Sequence, residues 1–236
     1  MKALITGGQQ GIGLGIAQAL HDAGWEIVVV SEHATAELPF EASYHQHDVR
    51  DLGAIAPLLD AIGPITTFVS NAGVGALYRG DLLDLSPESY DRCMGINTRG
   101  AFFLAQEVAY RMLLEPSDHY RSISFITSVS ASMVSPDRAE YCASKSAMAM
   151  LAQAFAARLA PENIGVFDIR PGIIETPMTA PVAHRYTPHI PDLIPQARWG
   201  QPADIGAVMV PLARGDFAYS TGAVIPVDGG QSIQRF

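Results

Sequence analysis

Short aliphatic and β-branched runs recur along this 236-residue chain, and each is continuous rather than alternating. They are KALIT (2–6), EIVVV (26–30), ITTFVS (65–70), SISFIT (122–127), GVFDI (165–169) and AVIPV (223–227), with YHQHDV (44–49) a weaker seventh. An alternating strand has one wet face. A continuous run needs apolar cover on both faces, the condition of a parallel sheet between helices. The intervening segments can supply that cover. Residues 12–23 and 51–62 carry apolar side chains at helical spacing, and 138–160 forms a longer helical pattern. Residues 86–114 open with Ser86 as N-cap and Pro87 at the first helical position.

Strand–helix alternation of this kind predicts an α/β fold: a doubly wound parallel sheet of about seven strands, of Rossmann type, in one domain over 1–236. One interval breaks the rhythm. Only about seventeen residues, Pro39 among them, separate the second strand from Asp48. A helical crossover barely fits there, so a short turn or vestigial helix is expected.

Composition narrows the function. The net charge is −9 and no basic stripe is present, which argues against nucleic acid as a partner. No apolar run reaches the eighteen or so residues of a membrane span, and a strand starting at the second residue leaves no space for a leader. Cys93 and Cys142 lie in unrelated contexts, so reduced thiols and a cytoplasmic location are expected. The His45–His47 pair resembles a metal pair on a strand face, but nothing nearby supplies further ligands, so no metal is expected.

The first strand runs into ITGGQQGIGLGIAQAL, where Gly7, Gly11 and Gly13 are spaced G-x-x-x-G-x-G. Glycines serve where backbone turns tightly and approaches a pyrophosphate, and the helix behind them offers unpaired N–H groups. No GK[ST] follows, which excludes a P-loop. Gly7, Gln10, Gly11, Ile12 and Gly13 are therefore the candidate phosphate turn of a dinucleotide site. The adenosine ribose of such a cofactor is read at the end of the second strand. Ser31 and Glu32 stand there, with no Lys or Arg between Lys2 and Arg50. An unpaired 2′-phosphate beside Glu32 is disfavoured, which favours NAD(H) over NADP(H).

The chain has thirteen arginines and two lysines, Lys2 and Lys145. Lys145 follows Tyr141 by four residues, so the two share one helix face. Together with the TGxxxGxG turn come SNAG (70–73), Asn97, Ser128 thirteen residues before Tyr141, YCASK, RPGIIETPM and TGAVIPVDGG. With these motifs in this order, nearly end to end, the chain resembles the short-chain dehydrogenase/reductase family. Among its members it is most similar to 3-oxoacyl-carrier-protein reductases and to related sugar or polyol dehydrogenases.

The resemblance implies an NAD(P)-dependent interconversion of a secondary alcohol and a ketone, and it implies roles. Tyr141 would be the general acid/base, and Ser128 would hold the substrate oxygen and steady Tyr141. Lys145 would bind the nicotinamide ribose hydroxyls and favour the phenolate. Asn97 would position a water behind Lys145. Asp48 and Val49 would contact the adenine, and Asn71, Ala72 and Gly73 would line the cleft. Pro171, Gly172, Ile174 and Thr176 would hold the nicotinamide end. Independently of the family, a free tyrosine titrates near about 10, so a base at neutral pH needs cations beside it.

Three further hydroxyls, Ser124, Thr127 and Ser130, lie near Ser128, and only spacing selects among them. Residues 177–200 contain five prolines, which exclude one long helix. In the family this region is the substrate loop, and here it offers His184, Arg185 and Tyr186 to a polar or anionic substrate. The substrate is expected to be a small polyol or sugar-like molecule, or a 3-oxoacyl group as in acyl-carrier-protein reductases. A non-catalytic dinucleotide sensor is the contrasting possibility, disfavoured because Ser128, Tyr141 and Lys145 occur together. Family members form tetramers or dimers through the long helices at 86–114 and 138–160, and a homotetramer or homodimer is expected.

Overall fold

Every continuous run becomes a strand of one parallel sheet in the computed structural model, which describes residues 1–234. The last two positions of the expected 1–236 domain lie outside the described residues. In chain order the strands are β1 Lys2–Thr6, β2 Glu26–Ser31, β3 Ser43–Gln46, β4 Thr67–Ser70, β5 Arg121–Ile126, β6 Ile164–Pro171 and β7 Val224–Val227. Their order across the sheet is β3-β2-β1-β4-β5-β6-β7, with every neighbouring pair parallel. The α-helices are α1 Gly11–Asp22, α2 Ile55–Ile62, α3 Pro87–Cys93, α4 Ala101–Leu114, α5 Ala139–Leu159, α6 Ala183–Tyr186, α7 Ile190–Leu193 and α8 Pro202–Arg214.

Successive residues of a strand point to opposite faces, and here both faces are covered. Leu4, Val28, Phe68, Ile123 and Val166 meet Leu58, Leu104 and Met148 from α2, α4 and α5. Their neighbours Ile5, Val29, Val69 and Phe167 meet Ile16, Leu20, Ile205 and Met209 from α1 and α8. Each such side chain, fully buried, contributes roughly 1.5–3 kcal/mol, so neither face tolerates a polar substitution. This double cover explains why the strand sequences are continuous.

The chain moves outward from β1 to β2 and β3, then returns to place β4 on the other side of β1. The connections therefore part above the carboxyl ends of β1 and β4 and leave a crevice there. As expected, no helix joins β2 to β3. Gln46 Nε2 donates to Glu32 O at 3.0 Å and the Tyr44 hydroxyl donates to His33 O at 2.8 Å, holding the short link against β3.

The stretch 86–114 begins as expected, Ser86 Oγ accepting from Ser89 N at 3.2 Å. It is not one uniform helix, however. Met94–Gly100 adopts π geometry between α3 and α4, and such wide turns re-aim a side chain where an α-helix would not. The side chain at its centre is Asn97. The segment 177–200 breaks into short turns with α6 and α7 among them, as its prolines require.

Candidate active site

The crevice is an elongated cleft of about 700 Å³ across the carboxyl ends of the sheet. Its middle is the turn between β1 and α1. Gly7 and Gly11 have φ of 67° and 53°, a region costly for residues with a side chain. A Cβ on Gly13 would fall 2.1 Å from Gly7 O, so the start of α1 packs directly on the turn. Gly13 therefore shapes the cleft from beneath, whereas Gly7, Gln10, Gly11 and Ile12 line it. Gln10 is the N-cap of α1 and makes no side-chain cap bond, which leaves first-turn N–H groups for a ligand. Asn71 latches this turn to β4: its Nδ2 donates to Thr6 O at 2.9 Å and to Gly7 O at 3.2 Å. Thr6 Oγ1 accepts from the Asn71 and Ala72 amides, both at 2.9 Å. The sequence reading passed over Thr6, although a hydroxyl just before a glycine turn is a signal for such a latch.

One end of the cleft is walled by Ser31, Glu32, Asp48 and Val49, and also by His33 and His47. Arg50 forks onto Asp48, with Nη2 to Oδ2 at 2.6 Å, and this hydrogen bond holds the Asp48 carboxyl below its ordinary range. Arg50 itself is not among the lining residues. Burial pushes the His47 imidazole down against the opposing pull of Asp51 and Asp48, so it is neutral at pH 7 and adds no positive charge. The charged side chains on this wall are thus acidic.

The other end holds the candidate chemistry. Ser128, Tyr141 and Lys145 all face the cleft, with Asn71, Ala72 and Gly73 on one side and Pro171, Gly172, Ile174 and Thr176 on the other. Tyr141 and Lys145 are one turn apart on α5, and Lys145 Nζ lies 5.8 Å from the Tyr141 ring centroid. Lys145 is buried, 7% exposed, and its ammonium is anchored by donation to Ile126 O at 2.9 Å. Ser128 Oγ accepts from Ser130 N at 3.0 Å, which leaves its own proton for another oxygen. Among the neighbouring hydroxyls, Ser124 is buried within β5 away from the cleft, whereas Thr127 and Ser130 share the cleft wall, the Thr127 hydroxyl donating to Asp168.

Asn97 does not line the cleft. It sits behind Val74, accepting from Val74 N at 2.8 Å and donating to Val74 O at 2.9 Å and to Ser144 Oγ at 3.0 Å. A Cβ on Gly73 would come within 3.1 Å of Asn97 Oδ1 and 3.5 Å of Lys145 Nζ, so a bare backbone separates the two groups. In the segment 177–200, Arg185 and Tyr186 line the cleft, whereas His184 does not and is exposed. Arg79 Nη1 donates to the Tyr186 hydroxyl at 2.8 Å. The structure adds Arg79, Asp137 and Arg138 to this end. Arg138 carried a sequence signal, three residues before Tyr141 in the helical pattern 138–160, and the structure makes it the residue just before α5; Arg79 lies on a loop with no local pattern.

A glycine-cradled middle, an acidic wall at one end and a Ser–Tyr–Lys group at the other fit an extended dinucleotide with its reactive ring beside Tyr141. The comparisons with known proteins agree with that geometry. The family model described as Enoyl-(Acyl carrier protein) reductase matches residues 7–232. The 3-oxoacyl-[acyl-carrier-protein] reductase MabA of Mycobacterium bovis is 34% identical over 236 residues, covering 98% of this chain and 93% of the relative. A 3-oxoacyl-[acyl-carrier protein] reductase of Brucella melitensis, solved in complex with NAD, is 42% identical with a TM-score of 0.95, covering 100% of this chain and 98% of that one. A structure from Agrobacterium tumefaciens with bound NADP is 31% identical with a TM-score of 0.88, covering 99% and 96% of the two chains. The chain belongs to the short-chain dehydrogenase/reductase family of NAD(P)-dependent oxidoreductases.

Proposed function

We propose that this chain interconverts a secondary alcohol and a ketone on a small polyol or sugar-like or 3-oxoacyl substrate, with NAD(H) preferred. The observation that carries the reading is the meeting of Ser128, Tyr141 and Lys145 on the cleft that also contains the glycine turn. When bound, the nicotinamide accepts or supplies the hydride. Tyr141 takes the carbinol proton in oxidation and returns one to the carbonyl oxygen in reduction. Lys145, fixed by Ile126 O, stands one turn from Tyr141 and has further N–H donors for ribose hydroxyls. Ser128 directs its proton to the substrate oxygen, where negative charge develops. Asn97 positions the Gly73–Val74 backbone, and its carboxamide is paired inside the protein.

Glu32 on this wall supports NAD(H), since a 2′-phosphate beside it would meet like charge, whereas the charge of Asp48 is offset by Arg50. Relatives named 3-oxoacyl-carrier-protein reductases at 34% and 42% identity support a second substrate reading, a 3-oxoacyl thioester. Unpaired Cys93 and Cys142 support a reducing compartment, and we place the chain in the cytoplasm. Among the described residues no helix is long and apolar enough to cross a membrane. We also read 1–236 as one domain, with 177–200 as its substrate loop, that assembles as a homotetramer or homodimer.

The test is a panel of ketones and secondary alcohols, 3-oxoacyl thioesters included, assayed with both cofactors. Turnover by wild type and a loss of at least about 100-fold in Tyr141→Phe are expected. Absence of hydride transfer across the panel sinks the enzyme reading. A tenfold higher kcat/KM with NADP(H) sinks the cofactor preference.

A further inference from the structure

We propose that the substrate carries a carboxylate close to the reacting carbon and that Arg138 holds it, an inference that rests on the oxidoreductase reading above and narrows its substrate. Arg138 stands immediately before α5, with its guanidinium carbon 5.1 Å from the Tyr141 ring centroid. Its Nη2 donates to Ser130 Oγ at 3.2 Å. Its Nε is buried and has no hydrogen-bond partner among the described residues. A guanidinium stays charged at any physiological pH. Burying part of that charge without an anion is unfavourable, and its planar fork matches a carboxylate edge.

The acid next to it does not meet the need. Asp137 is 43% exposed and sits between Arg79 at 4.0 Å and Arg185 at 3.9 Å. Among the described residues at this end of the cleft, Arg79, Arg138, Lys145 and Arg185 face Asp137 alone, in a chain of net charge −9. The excess positive charge is placed where a substrate anion would lie, beside the acid/base tyrosine. Arg138 lies inside the cleft rather than on an open surface, so the matching anion is a group on the small substrate itself. Arg79 and Arg185, tied to Asp137, close the same side.

The experiment uses the full-length protein, saturated with NAD for the hydroxy acids and their amides and with NADH for acetoacetate and its thioester. Lactate, 3-hydroxybutyrate and gluconate are each compared with their primary amides, and acetoacetate with an acetoacetyl thioester, by kinetics and by calorimetry. At least one acid is expected to exceed its amide by about thirtyfold or more in kcat/KM. Arg138→Gln brings that ratio to within about threefold of one, and Arg138→Lys, which keeps charge without the fork, gives an intermediate ratio. Three results overturn the proposal: equal wild-type kcat/KM for every acid and its amide, a thioester preferred over its acid, or an unchanged ratio in Arg138→Gln because both substrates fall together. The last would assign the Arg138 charge to Tyr141 instead. Failure of the oxidoreductase reading looks different, since then no compound is turned over with either cofactor. Calorimetry decides in that event: acid binding that disappears in Arg138→Gln upholds the anion site, and absence of acid binding overturns it.

Discussion

Lys145 shows why one residue type is required at one place. Its ammonium reaches Ile126 O at 2.9 Å from a buried position, with the Gly73 backbone and Asn97 close by. Arginine would bring the same charge in a broader, planar group, and the backbone at Gly73 and Ile126 beside the ammonium cannot swing aside as a side chain can. Lys145→Arg should therefore lower kcat by at least about 50-fold, in the range expected when a site is displaced by about an ångström. Steady-state kinetics with a melting curve checks it; near-normal turnover would mean that charge alone is needed. Tyr141 and Lys145 were legible in the sequence because a helix turns four-residue spacing into adjacency. Asn97 was legible as a position, but its commitment to Val74 was not, because that depends on a π turn that no composition pattern announces.

At the scale of elements, what is buried on both faces was legible and what is held by single polar contacts was not. β3, the weakest run, forms the sheet edge and is only partly buried along its length. The start of α8 illustrates the second kind. Gln201 N donates to Asp204 Oδ2 at 2.7 Å, and Arg198 forks onto both carboxylate oxygens at 2.8 and 2.9 Å. Arg198 ends the proline-rich loop, so this fork ties the loop to a helix packed on α1. Hydrogen bonds from Arg198 and then from the Gln201 amide hold the Asp204 carboxyl below its ordinary value. A carboxyl whose pKa is depressed by folding stabilises the fold above its unfolded value, about 3.9, and loses that contribution as pH falls through the folded value. Asp204→Asn should lower Tm by about 2–4 °C at pH 7, corresponding to about 1 kcal/mol for a partly exposed cap. The gap should narrow below about pH 4. Thermal melts across that range check it, and a gap that does not narrow would assign the effect to shape rather than charge.

The whole molecule brings together groups far apart in sequence, as Arg79 and Tyr186 show across 107 positions, and such pairings leave no local trace. The same limit applies to its surface. A helix rich in alanine and methionine suits a face on the sheet or a face against another subunit, and α5 provides for both. Met148, Ala152 and Ala156 are buried against the sheet, whereas Met150 is 65% exposed. On α4, which meets α5 through Phe102 and Phe155 at 5.5 Å between ring centroids, Phe103, Tyr110 and Leu114 are also exposed. Large apolar side chains grouped on two adjoining helices are an unusual surface for a monomer, whereas scattered single ones are ordinary. Association that covers them would also brace the helix carrying Tyr141 and Lys145. Static light scattering should give a mass near two or four times 25.2 kDa for the wild type. Phe103→Glu combined with Met150→Glu places like charges on both sides of a symmetric contact and should shift the mass toward one copy. A wild-type protein that scatters as a single copy at micromolar concentration would reject the assembly. A double variant that keeps the full wild-type mass would move the contact to another face.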